Sequence, residues 1–513
     1  MGRINSALGN TLRSVATGLR ASLFRLRRAY AGYLQMGLAV VLLGAVWPAQ
    51  ALPVFARQTG QNCLSCHAGG QWPELTPYGR MFKMTGYTTG ARAAVPLSVM
   101  GVLTDSSVAN TSKSDNPSAD FQKNGKLIFA TGSVFLAGKV TDNIGAFIQV
   151  TYDNYASQGA DGTFHGYTQA DNMDLRYADH LIDEKRDLVY GFSLNNNPSL
   201  SDPWNTAAAW MQYVPVPSPT SSQFIDGNAP YPGFAAGSNL AGLTAYLFWN
   251  QTVYAEYGTY KTANGLFSPF SFNIPDSATT KLQGGYNPYW RLALSHEWGA
   301  SNVMVGTSGM IAHVYDGGAD INDPNNLGSY RNVGLDAQYQ YLLSPHTITA
   351  QLSFTRQENH YSPNSVAGSS PFLLGDGATP VNPFSASDTI NTLRIKGSYI
   401  YQARVGGSLA YFQANGSSNT LNQSSGFDTN GQITSTDPLG TGIASTRVNG
   451  NLAGNPATQG LTFEAFWMPV QYVRVGLQYT AYNKYNGAAS NYDGLGRNAS
   501  DNNTVFFYVW GAY

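Results

Sequence analysis

Residues 331–356 read RNVGLDAQYQYLLSPHTITAQLSFTR and contain two stretches in which apolar and polar side chains alternate. In 331–343 the apolar positions are Val333, Leu335, Ala337, Tyr339 and Tyr341. The polar positions between them are Asn332, Gly334, Asp336, Gln338 and Gln340. The alternation resumes in 346–356 after only two residues, 344–345. A period of two predicts strands with one apolar and one polar face, so this region predicts an antiparallel hairpin.

The same alternation recurs in sixteen segments between residue 95 and the C-terminus. The connections between the segments alternate between long and short, and the long ones are rich in Gly, Ser, Asn, Asp and Pro. This pattern predicts an all-β fold, a transmembrane antiparallel β-barrel of about 16 strands with short periplasmic turns and long extracellular loops. The predicted strands are 95–103, 125–138, 143–153, 170–181, 186–194, 239–249, 251–261, 287–299, 302–313, 329–343, 346–358, 388–402, 404–414, 458–468, 471–483 and 502–513.

The composition agrees with a membrane barrel and excludes other classes. Among 513 residues, 65 are aromatic and only 59 are charged. Charged residues make up 12% of the chain, against roughly 25% in ordinary soluble domains. This composition excludes a disordered chain and a basic nucleic-acid-binding protein, and two cysteines are too few for a disulfide scaffold.

The side chains of the predicted strands divide between lipid and lumen. Aromatic residues at strand ends predict interfacial girdles in contact with outer-membrane lipid, although aromatics also favour strands in general. The girdle candidates are Tyr289, Trp290, Trp298, Trp467 and Tyr472. Charged residues of both signs are predicted to line the lumen, where they form a hydrated pore wall. The lumen candidates are Arg291, Glu297, Arg331, Asp336, Arg356, Arg394, Lys396, Glu464 and Arg474.

The N-terminus has the pattern of a cleaved signal peptide. Residues 1–33 carry six arginines and no acid, the apolar run 34–47 follows, and the small-residue triplet 49–51 reads AQA. We expect residues 1–51 to be removed by cleavage after Ala51; an uncleaved N-terminal anchor is the alternative. Removal of six of 29 basic residues leaves 23 against 30 acidic residues, so the mature chain has a net charge of −7. Export with a barrel fold predicts the bacterial outer membrane.

The only two cysteines stand in the sequence Cys63-Leu64-Ser65-Cys66-His67. Cys-x-x-Cys-His is the attachment site of c-type haem, in which two thioethers hold the porphyrin and the histidine is the proximal iron ligand. Residues i and i+3 share a face of a helical turn, so both sulfurs reach one porphyrin. The alternatives are a disulfide, a zinc site, a redox pair or chance; zinc needs four ligands, and a redox pair favours a βαβ context.

The predicted haem segment, 52–94, precedes a predicted barrel of residues 95–513. About 43 residues are too few to build an independent core around a porphyrin. Because the N-terminus of the barrel is predicted to be periplasmic, we expect this short helical and loop segment to plug the lumen or to cap its periplasmic mouth.

The stretch 52–88, LPVFARQTGQNCLSCHAGGQWPELTPYGRMFKMTGYT, resembles the fused monohaem cytochrome–porins of iron-oxidising bacteria. The shared pieces are Pro53 with 55–57, the haem motif, Pro73, 75–76, 78–80, 82–83 and 86–87. The resemblance covers about 37 residues closely and the barrel only in architecture. It implies oxidation of extracellular Fe(II) at one haem c, with the electron passed to a periplasmic carrier such as a cytochrome c or a copper protein.

Further residues near the motif are candidates for holding the haem. Met81 or Met84 is a candidate distal ligand, with a distant histidine, an open site or simple packing as alternatives. Arg57, Arg80 and Lys83 are candidates for pairing with the haem propionates, and Pro73 could accept a hydrogen bond from the proximal imidazole. No residue cluster identifies an Fe(II) site. Alternative functions are a general electron conduit or redox sensor, and a plain solute porin with an unmodified cysteine pair.

Overall fold

The computed structural model describes residues 53–70, 74–110, 127–158, 164–206, 239–271, 281–315, 318–368, 372–373, 380–381, 386–418, 455–492 and 496–513. The predicted signal peptide, 1–51, lies outside these residues, as does Pro73. Much of the predicted long loops also lies outside them.

Sixteen long antiparallel strands form one closed sheet. They are β1 (Leu97–Val108), β2 (Ile128–Lys139), β3 (Ile144–Gln158), β4 (Phe164–Asp183), β5 (Arg186–Asn195), β6 (Leu240–Trp249), β7 (Val253–Thr262), β8 (Pro288–Trp298), β9 (Ser301–Tyr315), β10 (Leu327–Leu343), β11 (His346–His360), β12 (Ser387–Tyr401), β13 (Val405–Gly416), β14 (Thr458–Val470), β15 (Val473–Lys484) and β16 (Thr504–Ala512). Each strand pairs with the next, and β1 pairs with β16 from Met100 opposite Ala512 to Val108 opposite Thr504. The predicted barrel is confirmed.

The connections confirm the predicted alternation of long and short. Seven connections of two to four residues lie at one end of the barrel, which we call the short-turn end. The chain enters β1 and leaves β16 at this same end. In bacterial barrels the short turns are periplasmic.

Strand ends differ from the predicted ones mainly at the loop end. β3 runs to Gln158 and β4 begins at Phe164, whereas the sequence pattern stops at 153 and resumes at 170. The polar residues of this region resemble a loop in composition, but their backbone groups pair across the extended hairpin. A paired hairpin satisfies its own hydrogen bonds, so it continues past the apolar band.

The other elements are short. Helices are α1 (Pro53–Thr59), α2 (Cys63–Cys66), α3 (Pro77–Met84), α4 (Pro198–Ser201) and α5 (Pro363–Gly368). Two-residue strands are Lys281–Leu282, which pairs with β9, and Phe372–Leu373, which pairs with Pro380–Val381. Among the described residues, no helix has the length and apolar character needed to cross a bilayer.

The two faces of the wall differ sharply in polarity. Outward side chains form an exposed apolar band, which includes Leu243, Leu294, Val305, Leu335, Leu352, Ile395, Leu409 and Leu477. Exposed aromatic residues stand near the short turns, among them Trp249, Trp298, Tyr401 and Trp467. Inward side chains are mostly polar and buried. A closed barrel with an even strand number and an apolar belt is the architecture of the bacterial outer membrane, which confirms the predicted localisation.

Three residues lie on the opposite face from the predicted one. Arg331 and Arg356 are exposed on the outer side, where Arg356 pairs with Glu358 at 3.0 Å. Tyr289 is fully buried on the inner face instead of forming part of a girdle. Successive side chains in a strand point to opposite faces, so an assignment that is wrong by one position places a residue on the wrong face. Each of these three residues faces the same side as the residues two positions away along its strand.

We expect the apolar band to tolerate charge only near its edges. Leu335, in the middle of β10, and Leu343, at its short-turn end, are 57% and 54% exposed. Leu335→Arg should lower the free energy of unfolding by about 2–4 kcal/mol, and Leu343→Arg by about 0–1 kcal/mol. Urea unfolding in lipid vesicles measures both. Equal losses for the two variants would contradict this placement of the bilayer.

Candidate functional site

The Cys-x-x-Cys-His motif forms the single helical turn α2. The Asn62 side chain caps the turn by accepting a hydrogen bond from the Ser65 amide at 3.2 Å. Cys63 and Cys66 both stand on this turn, and no disulfide joins them. His67 leaves the turn in an extended conformation, and its backbone N–H donates to the Cys63 carbonyl at 2.8 Å. Two thiols and an imidazole therefore stand on five consecutive residues with fixed backbone geometry.

The chemistry of this turn fits covalent haem attachment. Burial, and to a smaller extent the neighbouring Cys63, raises the pKa of the Cys66 thiol to about 11. A catalytic redox cysteine needs a lowered pKa, so the surroundings do not activate this thiol. Within the described ranges, no group of three or more His, Cys, Asp or Glu side chains is arranged to hold a metal ion. Two thiols at i and i+3 that form no disulfide, followed by histidine, match the donor set of a haem c.

Helix α3 packs directly on α2. Thr76 caps α3, its hydroxyl donates to the Ser65 carbonyl at 2.5 Å, and its amide donates to the Cys66 carbonyl at 2.9 Å. A Cβ atom on Gly79 would overlap the Cys66 carbonyl oxygen, so only glycine allows this approach. The position of α3 thus fixes the position of the α2 turn.

The described residues 53–70 and 74–96, which we call the plug, are held at the short-turn end of the barrel by contacts with its inner face. Arg80 on α3 is 3% exposed and reaches the wall on one side. Its guanidinium donates to Gln338 at 3.3 Å, Gln340 at 3.1 Å and Asn302 at 3.0 Å, and to the Leu75 carbonyl at 2.9 Å. These acceptors belong to β9, β10 and the plug itself.

The end of α3 contacts the inward side of the neighbouring strands and the residues that follow β5. Lys83 is buried and donates to the Asp202 carbonyl at 2.9 Å, and burial lowers its pKa to about 8. The Met84 side chain is 1% exposed in an apolar cluster of the wall, and Tyr246 donates to the Met84 carbonyl at 2.6 Å. Met81 is only partly buried at the edge of this cluster.

Aromatic rings join α1 to α3 and to the wall. Phe55 contacts Phe82 edge-on at 5.0 Å and stacks on Tyr87 at 5.6 Å, measured between ring centroids. Phe147 of β3 stacks on Phe55 at 6.3 Å. The Tyr87 hydroxyl donates to the buried Asp174 carboxylate of β4 at 2.7 Å. The plug therefore shares its small apolar core with the barrel.

Residues 196–206, which we call the inward loop, fold into the lumen against the plug. Arg291 of β8 donates to Asp336 at 2.5 Å and to Asp202 of the loop at 3.3 Å. The Trp204 ring lies between two guanidinium groups, 5.8 Å from Arg80 and 5.9 Å from Arg291. The plug and the inward loop together occupy the part of the lumen beside β8 and β10.

Three cations predicted to line the pore are buried on the inner face of β12 and β15. Lys396 pairs with Glu74 of the plug at 2.6 Å. Arg474 pairs with Glu464 at 2.9 Å. Arg394 lies two residues from Lys396 on the same face of β12 and is 6% exposed.

The basic residues predicted to pair with the haem propionates occupy different surroundings. Arg57 donates to the carbonyls of Leu97 at 2.5 Å and Val95 at 3.3 Å, whereas Arg80 and Lys83 hold the plug to the wall and loop. Their pairing with propionates, the role of Pro73 and the distal methionine remain predictions. Tyr87 was singled out only within the resemblance. No sequence signal identified Asp174 or Trp204, because an isolated acidic or aromatic residue belongs to no motif with a fixed spacing.

Comparisons with solved structures find outer-membrane proteins. No family model and no curated protein matches the chain. Among solved structures, the outer membrane channel DcaP of Acinetobacter baumannii is 10% identical, with a TM-score of 0.44, and the match covers 81% of this chain and 96% of that one. OmpF of Salmonella typhi in complex with daunomycin is 12% identical, with a TM-score of 0.40 and coverages of 81% and 97%. In vitro folded OmpT of Vibrio cholerae is 8% identical, with a TM-score of 0.38 and coverages of 81% and 96%.

We expect the buried pair of Glu74 and Lys396 to hold the plug in place. Glu74→Gln leaves the Lys396 charge buried without its carboxylate. The docked plug should therefore be less stable, relative to the undocked plug, by about 3–5 kcal/mol. Glu74→Gln combined with Lys396→Gln should recover most of this loss. Hydrogen exchange of the α2 and α3 amides measures docking.

The matched control is Glu358→Gln, which breaks an exposed pair with Arg356. This change should cost less than about 1 kcal/mol and leave plug exchange unaltered. A Glu74→Gln variant whose plug amides exchange as slowly as those of the control would contradict the assigned role.

Proposed function

We propose that this outer-membrane barrel carries one haem c on Cys63 and Cys66, oxidises extracellular Fe(II), and passes the electron to a periplasmic cytochrome c or copper protein. The observation that carries the proposal is the α2 turn, because the only two cysteines of the chain and an adjacent histidine stand on it within the lumen. A haem bound there supplies a site that accepts and yields one electron at a time.

The plug residues have distinct roles in this proposal. Cys63 and Cys66 would hold the porphyrin through thioether bonds, and the His67 imidazole would bind the iron. Met84 is committed to the apolar cluster of the wall, so Met81, which is only partly buried, is the better candidate of the two for a distal ligand. Thr76 and Gly79 hold the turn at a fixed distance from α3.

The position of the plug supports a division between the two faces of the membrane. A bilayer core is about 30 Å thick, too far for one useful electron transfer. With α2 near the short-turn end, a periplasmic carrier approaches from that end and Fe(II) enters from the loop end. A mature charge of −7 and oxygen-rich loops attract a hard cation.

A plain solute porin is the second candidate, and the barrel architecture by itself favours it. Such a porin needs an open path for solutes along its lumen. The plug and the inward loop are bound to each other across this path, for example by Lys83 and Asp202. A general electron conduit or redox sensor is a third candidate, which shares the haem but not the donor.

Haem attachment is tested by haem staining of the denatured full-length protein. We expect covalent stain in the wild type and none in Cys63→Ser combined with Cys66→Ser, with the barrel still assembled as judged by heat-modifiable gel mobility. Ser65→Ala, inside the same turn, is the matched control and should keep its stain. An unstained wild type matured in a host with haem-attachment machinery would support the plain porin.

Fe(II) oxidation is tested by rapid mixing of the oxidised, haem-loaded protein with Fe(II). We expect the absorbance of the reduced haem to develop on the timescale of turnover, and His67→Ala to abolish this change. A stained protein that Fe(II) fails to reduce, but that exchanges electrons with other small donors, would instead favour a conduit or sensor.

A further inference from the structure

The outer surface of β8 shows where the apolar band ends. Its outward residues run from Trp298, near the short turns, through the exposed Leu294 and Leu292 to Trp290. Trp298 and Trp290 are separated by about 26 Å along an untilted strand, at about 3.3 Å per residue. An apolar band about 25 Å tall between two aromatic girdles is the lipid-facing surface of an outer-membrane barrel. Trp290 therefore marks the outer edge of the band.

The neighbouring strand places a lysine just beyond this edge. Tyr257 of β7 lies opposite Trp290, is 52% exposed, and shares a hydrogen bond with the hydroxyl of Tyr286. Lys261 faces the same way as Tyr257, because the residue before it, Tyr260, is fully buried on the inner face. Lys261 lies about 13 Å further along the strand than Tyr257, on the side of the loops.

A second lysine reaches the same outer face from the two-residue strand Lys281–Leu282. Leu282 lies opposite Val314 of β9 and packs on the inner cluster that contains Val314. Successive side chains of a strand point to opposite faces, so Lys281 points outward. The Leu282 amide donates to the Thr262 hydroxyl at 2.8 Å, which joins this short strand to the end of β7. Lys261 and Lys281 line one open cavity of about 330 Å³.

The lining of this cavity suits an anion. Among the described residues that line it, none is acidic, and Gly284 and Gly285 add two exposed backbone segments without side chains. Asp320 precedes the lining residue Ile321, but its carboxylate accepts hydrogen bonds from the amide and the side chain of Asn322, both at 2.9 Å. The two ammonium groups are therefore available to a negatively charged ligand.

Apolar side chains surround the two lysines on the outer surface. The Lys261 ammonium lies 4.8 Å from the centre of the Phe267 ring. Leu266 is 89% exposed, Tyr286 is 63% exposed and Ile321 is 50% exposed. An inorganic anion gains nothing from such neighbours, whereas a ligand with both a charged group and an apolar part can contact both. The position beside the girdle and the mixed lining together favour an anionic lipid.

We propose that this cavity binds a phosphate group of lipid A, the phosphorylated glycolipid of the outer leaflet of bacterial outer membranes. The cavity lies just beyond the outer aromatic girdle, where the headgroups of that leaflet begin. Lys261 and Lys281 bind the phosphate through charge-assisted hydrogen bonds, and the exposed apolar side chains contact the rest of the lipid. The site is independent of the haem and of the donor proposed above.

The test is binding of lipid A to the full-length protein in detergent micelles, measured by native mass spectrometry. Lys261→Gln and Lys281→Gln should each weaken binding about fivefold, the effect of one lysine at an anionic lipid surface. Lys261→Arg, which keeps the charge, should bind as the wild type does. Heat-modifiable gel mobility verifies that each variant forms the barrel.

The matched control is Lys185→Gln, which removes an exposed lysine from the turn between β4 and β5 at the short-turn end. It should leave the affinity unchanged, and lipid A stripped of its phosphates should bind the wild type more weakly than intact lipid A does. An equal loss in the control, or equal binding of the stripped lipid, would overturn the proposal. Displacement of lipid A by inorganic phosphate at equal concentration would assign the site to the free ion and overturn it as well.

Discussion

Closure of the sheet is the constraint on which the rest of the molecule depends. Hydrocarbon offers no hydrogen bonds, so a strand that crosses it must pair on both edges. The pairing of β1 with β16 removes the last free edges, and it requires an even number of antiparallel strands when both ends of the barrel lie on one side. Once the sheet is closed, each side chain faces either lipid or lumen. The apolar belt and the polar interior are then two results of the same closure.

A polar interior must in turn satisfy its own charges, and this requirement positions the plug. A buried charge without a partner costs several kcal/mol, so the wall cations need carboxylates nearby. Arg474 has Glu464, but Lys396 takes its carboxylate from Glu74 of the plug. Asp174 similarly receives a hydrogen bond from Tyr87. A segment too short to build its own core thus gains both its apolar contacts and its polar partners from the barrel.

The sequence predicted the strands, the alternation of loops and the attachment motif, because each is a periodic or fixed-spacing pattern. The hairpin at 331–356 shows the limit of such patterns. Asp336 alternates with the apolar residues and faces inward as predicted. Arg331 was also predicted to face the lumen, but it lies an odd number of positions from Asp336 and faces outward. The inward loop could not be predicted, since its Asn, Pro, Ser and Asp content is that of any surface loop. The contact of Trp204 with Arg80 and Arg291 joins three distant parts of the chain. Only the closed barrel brings them together.

The contacts of the plug also fix where the α2 turn lies along the barrel. Its buried contacts reach β4, β9, β10 and β12, so any displacement of α2 would expose paired charges to an environment without partners. The α2 turn is therefore fixed near the short-turn end. Under the proposed function, a periplasmic carrier reaches this turn from the short-turn end, and a donor from outside travels most of the lumen. Selection among donors then falls to the inner wall beyond the plug, which can vary without disturbing the closure of the sheet or the seating of the plug.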